Sequence, residues 1–270
     1  MRPGPERPGE RDGGPERPGA RHRWPFLDWD GPIPIAHRGG AAEGPENTMK
    51  AFAAAVALGY RYVETDVHVT VDGVLLAFHD HTLDRATDMT GDIATLPYTA
   101  VRRARVAGEP IPRLEDILGA WPDLRVHIDA KHLAAAAPLV TALDRTNAHD
   151  RVCIGAFSDR TVLALRRLSK GRICTWMGRA EILALRLASL GLPVPRTSAG
   201  CTQVPERQGR LPLVDRRFVE TARRRGVGVH VWTVNERPAM ERLLDLGVGA
   251  ILSDRPTLLK QVFTERAVWH

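Results

Sequence analysis

The order of the apolar segments constrains this chain more than anything else in it. From residue 33 onward, short runs rich in valine and isoleucine alternate with longer segments of helical period. The strand-like runs fall at 33–37, 60–67, 74–79, 125–130, 152–156, 172–176, 198–204, 227–231 and 249–252. Helical patterns fall at 48–58, 114–120, 134–143, 158–168, 179–190, 215–225, 236–246 and 256–263. Short, doubly apolar strands separated by amphipathic helices are what a buried parallel sheet covered by helices requires. Eight or nine such strands predict an α/β fold, a (β/α)₈ barrel, with a doubly wound open sheet as the alternative. The length of 270 residues suits one such barrel, which typically needs roughly 250. Residues 81–112 lack the repeat and are expected to form an insertion after an early strand.

Residues 1–23 have a different composition. They hold five prolines and five glycines, and PERPG occurs twice. Such a segment buries too little apolar area to offset its chain entropy, so a disordered tail is expected, with the barrel occupying 24–270. The three cysteines, Cys153, Cys174 and Cys201, are widely spaced and odd in number. They read as small buried apolar residues of a reducing compartment rather than a disulfide framework. No apolar run approaches the ~20 residues that span a bilayer, and the N-terminus lacks the apolar stretch of a secretory signal. A soluble, cytoplasmic protein is expected. The net charge of +6 favours anionic partners such as phosphate esters. Nucleic acid is not expected, because the arginines are scattered and no aromatic stacking strip accompanies them.

In parallel α/β barrels the reactive residues stand at the carboxyl ends of the strands. Here those ends carry His37-Arg38-Gly39-Gly40, Glu64-Thr65-Asp66, His79-Asp80 and Asp129-Ala130-Lys131. Side chains two apart on a strand share a face, so Glu64 projects with Asp66 and Asp129 with Lys131. Buried carboxylates need a partner. Glu64, Asp66 and Asp129 fit a hard divalent cation, Mg²⁺ or Ca²⁺. The rival reading is a salt-bridged interior in which Arg38 and Lys131 neutralise them. Trp232 follows a predicted strand and is either a substrate wall or core packing. His68, His81, His127, His132 and His230 are assigned no chemistry.

HRGG followed by PENT, ETD, FHD, LDRATDMTG, IPRLEDIL, IDAK, VWTVNE and ILSDRP resembles the glycerophosphodiester phosphodiesterases in order and spacing, over 33–259. The resemblance implies a barrel hydrolase that cleaves glycerophosphodiesters to sn-glycerol 3-phosphate and an alcohol. It implies His37 and His79 as general acid and base, Glu64 and Asp66 as metal ligands, and Arg38 and Lys131 as the phosphate's counter-charges. Glu46 would lie in the site and Trp232 would line the pocket. The family usually has glutamate two residues before the lysine, where this chain has Asp129, so the metal preference stays open. A related branch acting on sphingomyelin and lysophospholipids has an aspartate there, which keeps a lysophospholipase D-like activity in view. An apolar patch lined by 81–112 would favour that activity. A catalytically silent barrel that binds phosphorylated ligands is the reading from another class.

Overall fold

The computed structural model describes residues 23–209 and 211–270. The expected tail lies outside them, apart from Arg23. Nine strands bear on the site: β1 Ile33–Ala36, β2 Tyr62–Val69, β3 Leu75–Ala77, β4 Arg125–Ala130, β5 Val152–Gly155, β6 Cys174–Thr175, β7 Cys201–Pro205, β8 Gly228–Trp232 and β9 Ala250–Ser253. Eight of these are parallel, and they run around the barrel in the order β6-β5-β4-β2-β1-β9-β8-β7. The ring is nearly closed. Between β6 and β7 the ladder thins to one bridge, Trp176 with Cys201. Two further hydrogen bonds hold that seam, from Gly200 N to Thr175 O and from Met177 N to Cys201 O, both 2.9 Å.

Eight helices cover the outside: α1 Met49–Ala57, α2 Leu114–Ala120, α3 Ala136–Arg145, α4 Asp159–Leu168, α5 Arg179–Ser189, α6 Arg216–Arg224, α7 Arg237–Leu246 and α8 Pro256–Glu265. Local chemistry sets their ends. The Thr48 and Asp215 side chains accept hydrogen bonds from Ala51 N and Phe218 N at the starts of α1 and α6, satisfying amides that the helix leaves unpaired. Gly247, at φ +78°, ends α7 in the left-handed conformation.

The strand period of two sorts the sequence into two cores. On β4, Val126, Ile128 and Ala130 face the helices, with Leu139, Leu143 and Leu165 in the same outer cluster. Ile33, Ile35, Tyr62, Cys153, Cys174, Trp176, Cys201, Ala250 and Leu252 fill the barrel, and Trp24 and Phe26 join them.

One expected element differs. The run at 74–79 is β3, which pairs antiparallel with β2, Val69 opposite Leu75, and stands off the barrel path. A parallel partner needs a crossover of a dozen or more residues. Val69 is joined to Leu75 by a short turn containing Asp72 and Gly73, the glycine at φ +85°. Such a turn permits only a hairpin. His79 therefore leaves a flap beside the barrel rather than a barrel strand. Beyond it, Phe78, Leu83, Ile93, Val101 and Ile111 form a small apolar cluster of their own with Leu76.

Candidate active site

The first turn after β1 is bent sharply. Arg38 has φ +52°, and Gly39 and Gly40 have φ +80° and +109°. A Cβ on Gly39 would lie 2.8 Å from the Ala51 Cβ, and one on Gly40 2.7 Å from the Pro256 ring. Only glycine lets this turn approach α1 and α8 so closely. The bend carries His37 and Arg38 over the barrel mouth. His37 Nδ1 lies 2.6 Å from Asp254 Oδ1, and its Nε2 lies 3.6 Å from Glu64 Oε2. Asp254 also accepts a hydrogen bond of 2.8 Å from Asn235. His79 repeats the arrangement, its Nδ1 2.6 Å from Asp80 Oδ1.

Glu64, Asp66 and Asp129 are buried together on β2 and β4, and Asp66 is the register partner of Asp129. Lys131 Nζ contacts Asp66 Oδ1 at 2.5 Å and Asp129 Oδ2 at 2.8 Å. Arg38 Nε lies 3.1 Å from the other Asp66 oxygen, and its backbone N donates to Glu64 Oε2 at 3.2 Å. Asn47, from the PENT segment, donates to Asp66 at 3.1 Å and accepts from Thr65. Glu46 bridges Arg38 at 3.3 Å and Arg85 at 2.6 Å, and Arg85 reaches on to Asp80 at 2.5 Å. The structure thus brings His37, Arg38, Glu46, Glu64, Asp66, His79, Asp129 and Lys131 to one rim. Asp254, Asn235, Asn47 and Arg85 complete the network with Asp80, the neighbour of His79, and the sequence alone gives none of the five a role. Asp254 shows why, since its partner His37 lies 217 residues away.

Burial opposes charge on His37, but Glu64 and the Asp254 hydrogen bond outweigh it and raise its pKa. Burial, reinforced by the nearby Asp66 charge, lifts the Glu64 carboxyl to about 7. Burial also raises Asp129. For Asp66, burial is overcome by Lys131 and Arg38, which hold it below the ordinary carboxylate value. Two features fit a divalent cation. Asp129 Oδ1 is buried without a hydrogen-bond partner. Glu64 is a fully buried carboxylate held toward its neutral form, which an adjacent cation would reverse.

Trp232 stands at the end of β8, its ring edge-on to Phe157 with centroids 5.5 Å apart. It lines a cavity of about 670 Å³ whose wall includes Asp129, the apolar side chains of Trp176, Met177, Ile182, Leu183, Val204 and Leu213, and the charged Arg179 and Arg186. Gly155 makes room for this wall, since a Cβ there would meet the Trp176 ring at 2.2 Å. The apolar wall belongs to the β5–β8 side and not to residues 81–112.

Residues 37–258 match the model of the glycerophosphoryl diester phosphodiesterase family. A "Probable glycerophosphodiester phosphodiesterase 2" of Mycobacterium tuberculosis is 40% identical over 251 residues, covering 90% of this chain and 95% of that protein. The human "Lysophospholipase D GDPD1" is 28% identical, with 84% of each chain covered. A phosphodiesterase of Oleispira antarctica, solved in complex with the product sn-glycerol-3-phosphate, superposes with a TM-score of 0.70 at 21% identity, over 86% of this chain and 97% of that one.

Proposed function

The chain belongs to the glycerophosphoryl diester phosphodiesterase family and is an enzyme of that class, and from this premise we propose a metal-dependent hydrolysis of glycerophosphodiesters to sn-glycerol 3-phosphate and an alcohol. One observation carries the reading. Two imidazoles flank the carboxylate cluster, and each has its Nδ1 engaged at 2.6 Å by a carboxylate of its own, Asp254 for His37 and Asp80 for His79. That fixes the ring orientation and leaves Nε2 as the atom that exchanges a proton. His37 and His79 serve as acid and base, one taking the proton of the attacking hydroxyl and the other giving one to the leaving alkoxide.

Arg38 and Lys131 supply positive charge where the phosphoryl oxygens become more negative. Glu64, Asp66 and Asp129 would hold Mg²⁺ or Ca²⁺. Bound there, a divalent cation polarises the phosphoryl oxygen and stabilises its developing charge. Glu46 and Arg85 tie the His37 turn to the His79 flap. Trp232 forms the wall against which the non-reacting part of the substrate lies. Residues 24–270 act as one catalytic unit with 81–112 inserted. Among the described residues no helix is long and apolar enough to cross a membrane, which accords with a cytoplasmic enzyme.

The apolar cavity favours a second substrate class. Its mostly apolar lining, which also includes Asp129, suits an acyl chain and hence a lysophospholipase D-like reaction. Steady-state release of glycerol 3-phosphate from glycerophosphocholine, with and without EDTA and with Mg²⁺, Ca²⁺ or Mn²⁺ restored, tests the main reading. Chelation is expected to abolish turnover and one of these cations to restore it. Undiminished turnover after exhaustive chelation removes the cation from the mechanism. Choline release from lysophosphatidylcholine, assayed in parallel, tests the second class.

A further inference from the structure

Beneath the carboxylates the barrel holds a second polar cluster that the phosphodiester chemistry does not use. His127, Cys153, Cys174, Cys201 and His230 come from five different strands, β4 to β8, and all are buried. Within it, one nitrogen each of His127 and His230 and the sulfur of Cys201 lie within 4.8 Å of one another. His127 Nε2 is 3.1 Å from His230 Nδ1, and Cys153 Sγ is 3.7 Å from Cys201 Sγ. A tetrahedral ion with Zn–N of about 2.0–2.1 Å and Zn–S of about 2.3 Å separates its donors by roughly 3.3–3.8 Å. The His127–His230 and Cys153–Cys201 pairs are close to those edges; Cys153 lies outside the trio within 4.8 Å and must turn toward the two histidines to complete a fourth position.

The surroundings agree with the donors. Gln203 Nε2 lies 2.9 Å from His127 Nδ1. Turned over about its amide, Gln203 presents its oxygen to an Nδ1–H and leaves Nε2 as a ligand, the outer hydrogen bond that metal-bound histidines carry. Two thiolates and two neutral imidazoles around a divalent cation sum to zero charge, which an apolar interior tolerates. The donor set also separates this cluster from the oxygen-only site above it, since imidazole and thiolate select zinc-type ions over Mg²⁺ or Ca²⁺.

We propose that His127, Cys201 and His230, with Cys153 as fourth donor, form a second metal site, for a zinc-type divalent cation. Binding forms two N–metal and two S–metal bonds, and the two thiol protons leave to solvent. The ion ties β4 and β5 to β7 and β8, across the thin seam between β6 and β7. The site stands on its own residues, whether or not the reaction above is the one proposed.

The test uses the full chain produced in zinc-supplemented and in cobalt-supplemented medium and washed with EDTA. About one zinc per chain is expected by elemental analysis of the zinc-grown protein. The cobalt-grown protein is expected to show a thiolate-to-cobalt charge-transfer band and intense tetrahedral visible bands, which oxygen ligands do not produce. Cys201→Val, which keeps the packing volume, is expected to lower the metal content at least tenfold. Asp66→Asn, at the upper site, is expected to leave it intact. Wild-type protein without zinc and without the cobalt bands overturns the proposal, as does unchanged metal content in Cys201→Val. A Cys153–Cys201 disulfide in the purified chain also overturns it.

Discussion

The two sides of the barrel mouth use the same structural position for opposite purposes. On the β1, β2 and β4 side the strand ends carry His37, Glu64, Asp66, Asp129 and Lys131, joined by short ion pairs. On the β5 to β8 side they carry Phe157, Trp176, Met177 and Trp232, which line a cavity that is mostly apolar and has arginines among its other lining residues. One side is expensive to assemble, because each charge must be paired as it is buried. The other gains from burial alone. In the proposed reaction a substrate lying across the mouth would meet charge at its phosphoryl group and apolar wall along its remainder. The contrast separates chemistry from recognition and says where each can be altered alone.

The largest expected effect tests the charged side. His37→Ala and His79→Ala are each expected to lower kcat on glycerophosphocholine by roughly 10² or more, the usual size for a lost acid–base group. Near-wild-type turnover in either variant excludes that histidine. A smaller loss is expected one contact further out. Asp254→Asn, which keeps the shape but removes the charge at 2.6 Å from His37 Nδ1, should lower kcat by roughly tenfold with KM little changed. A change in KM alone would make Asp254 a substrate contact instead.

The apolar side breaks differently. Trp232→Ala is expected to raise KM for lysophosphatidylcholine by roughly tenfold, the size of one lost aromatic contact, while turnover of glycerophosphocholine changes little. Equal losses on both substrates would dissolve the distinction between the two sides. The smallest effect concerns stability under EDTA. An unfolded glutamate titrates near 4.5, whereas folded Glu64 is raised to about 7 by burial and by Asp66. The folded state therefore holds this proton more tightly and loses stability as pH rises from 4.5 to 7. Glu64→Gln should flatten the thermal midpoint over that window, and an unchanged slope would assign the dependence to other groups.

Much of this was legible in the sequence, for reasons that differ from residue to residue. Strand β4 was expected at 125–130 and is found there, because its alternation of apolar and polar residues matches a strand with two different faces. The sharing of one face by Glu64 and Asp66 followed from the same period. The 74–79 run was misjudged because apolar content shows a strand but not its direction. The turn of a few residues before it held that information. Asp254 was missed for a topological reason. It lies 217 residues from His37, and only the pairing of the first strand with the last, Ala36 beside Ser253, sets the next residue of each side by side. The cysteines are free and buried, as their odd number and wide spacing implied, but spacing along the chain said nothing of strands that adjoin in the ring.

The hairpin that delivers His79 has a consequence of its own. One imidazole is anchored in the wall of the molecule and the other hangs from a bracket bolted to it. Its side chain is 34% accessible, against 11% for His37. Lengthening or trimming that bracket would change the gap between the two imidazoles to which proton transfer is assigned by proposal, without disturbing a single stave.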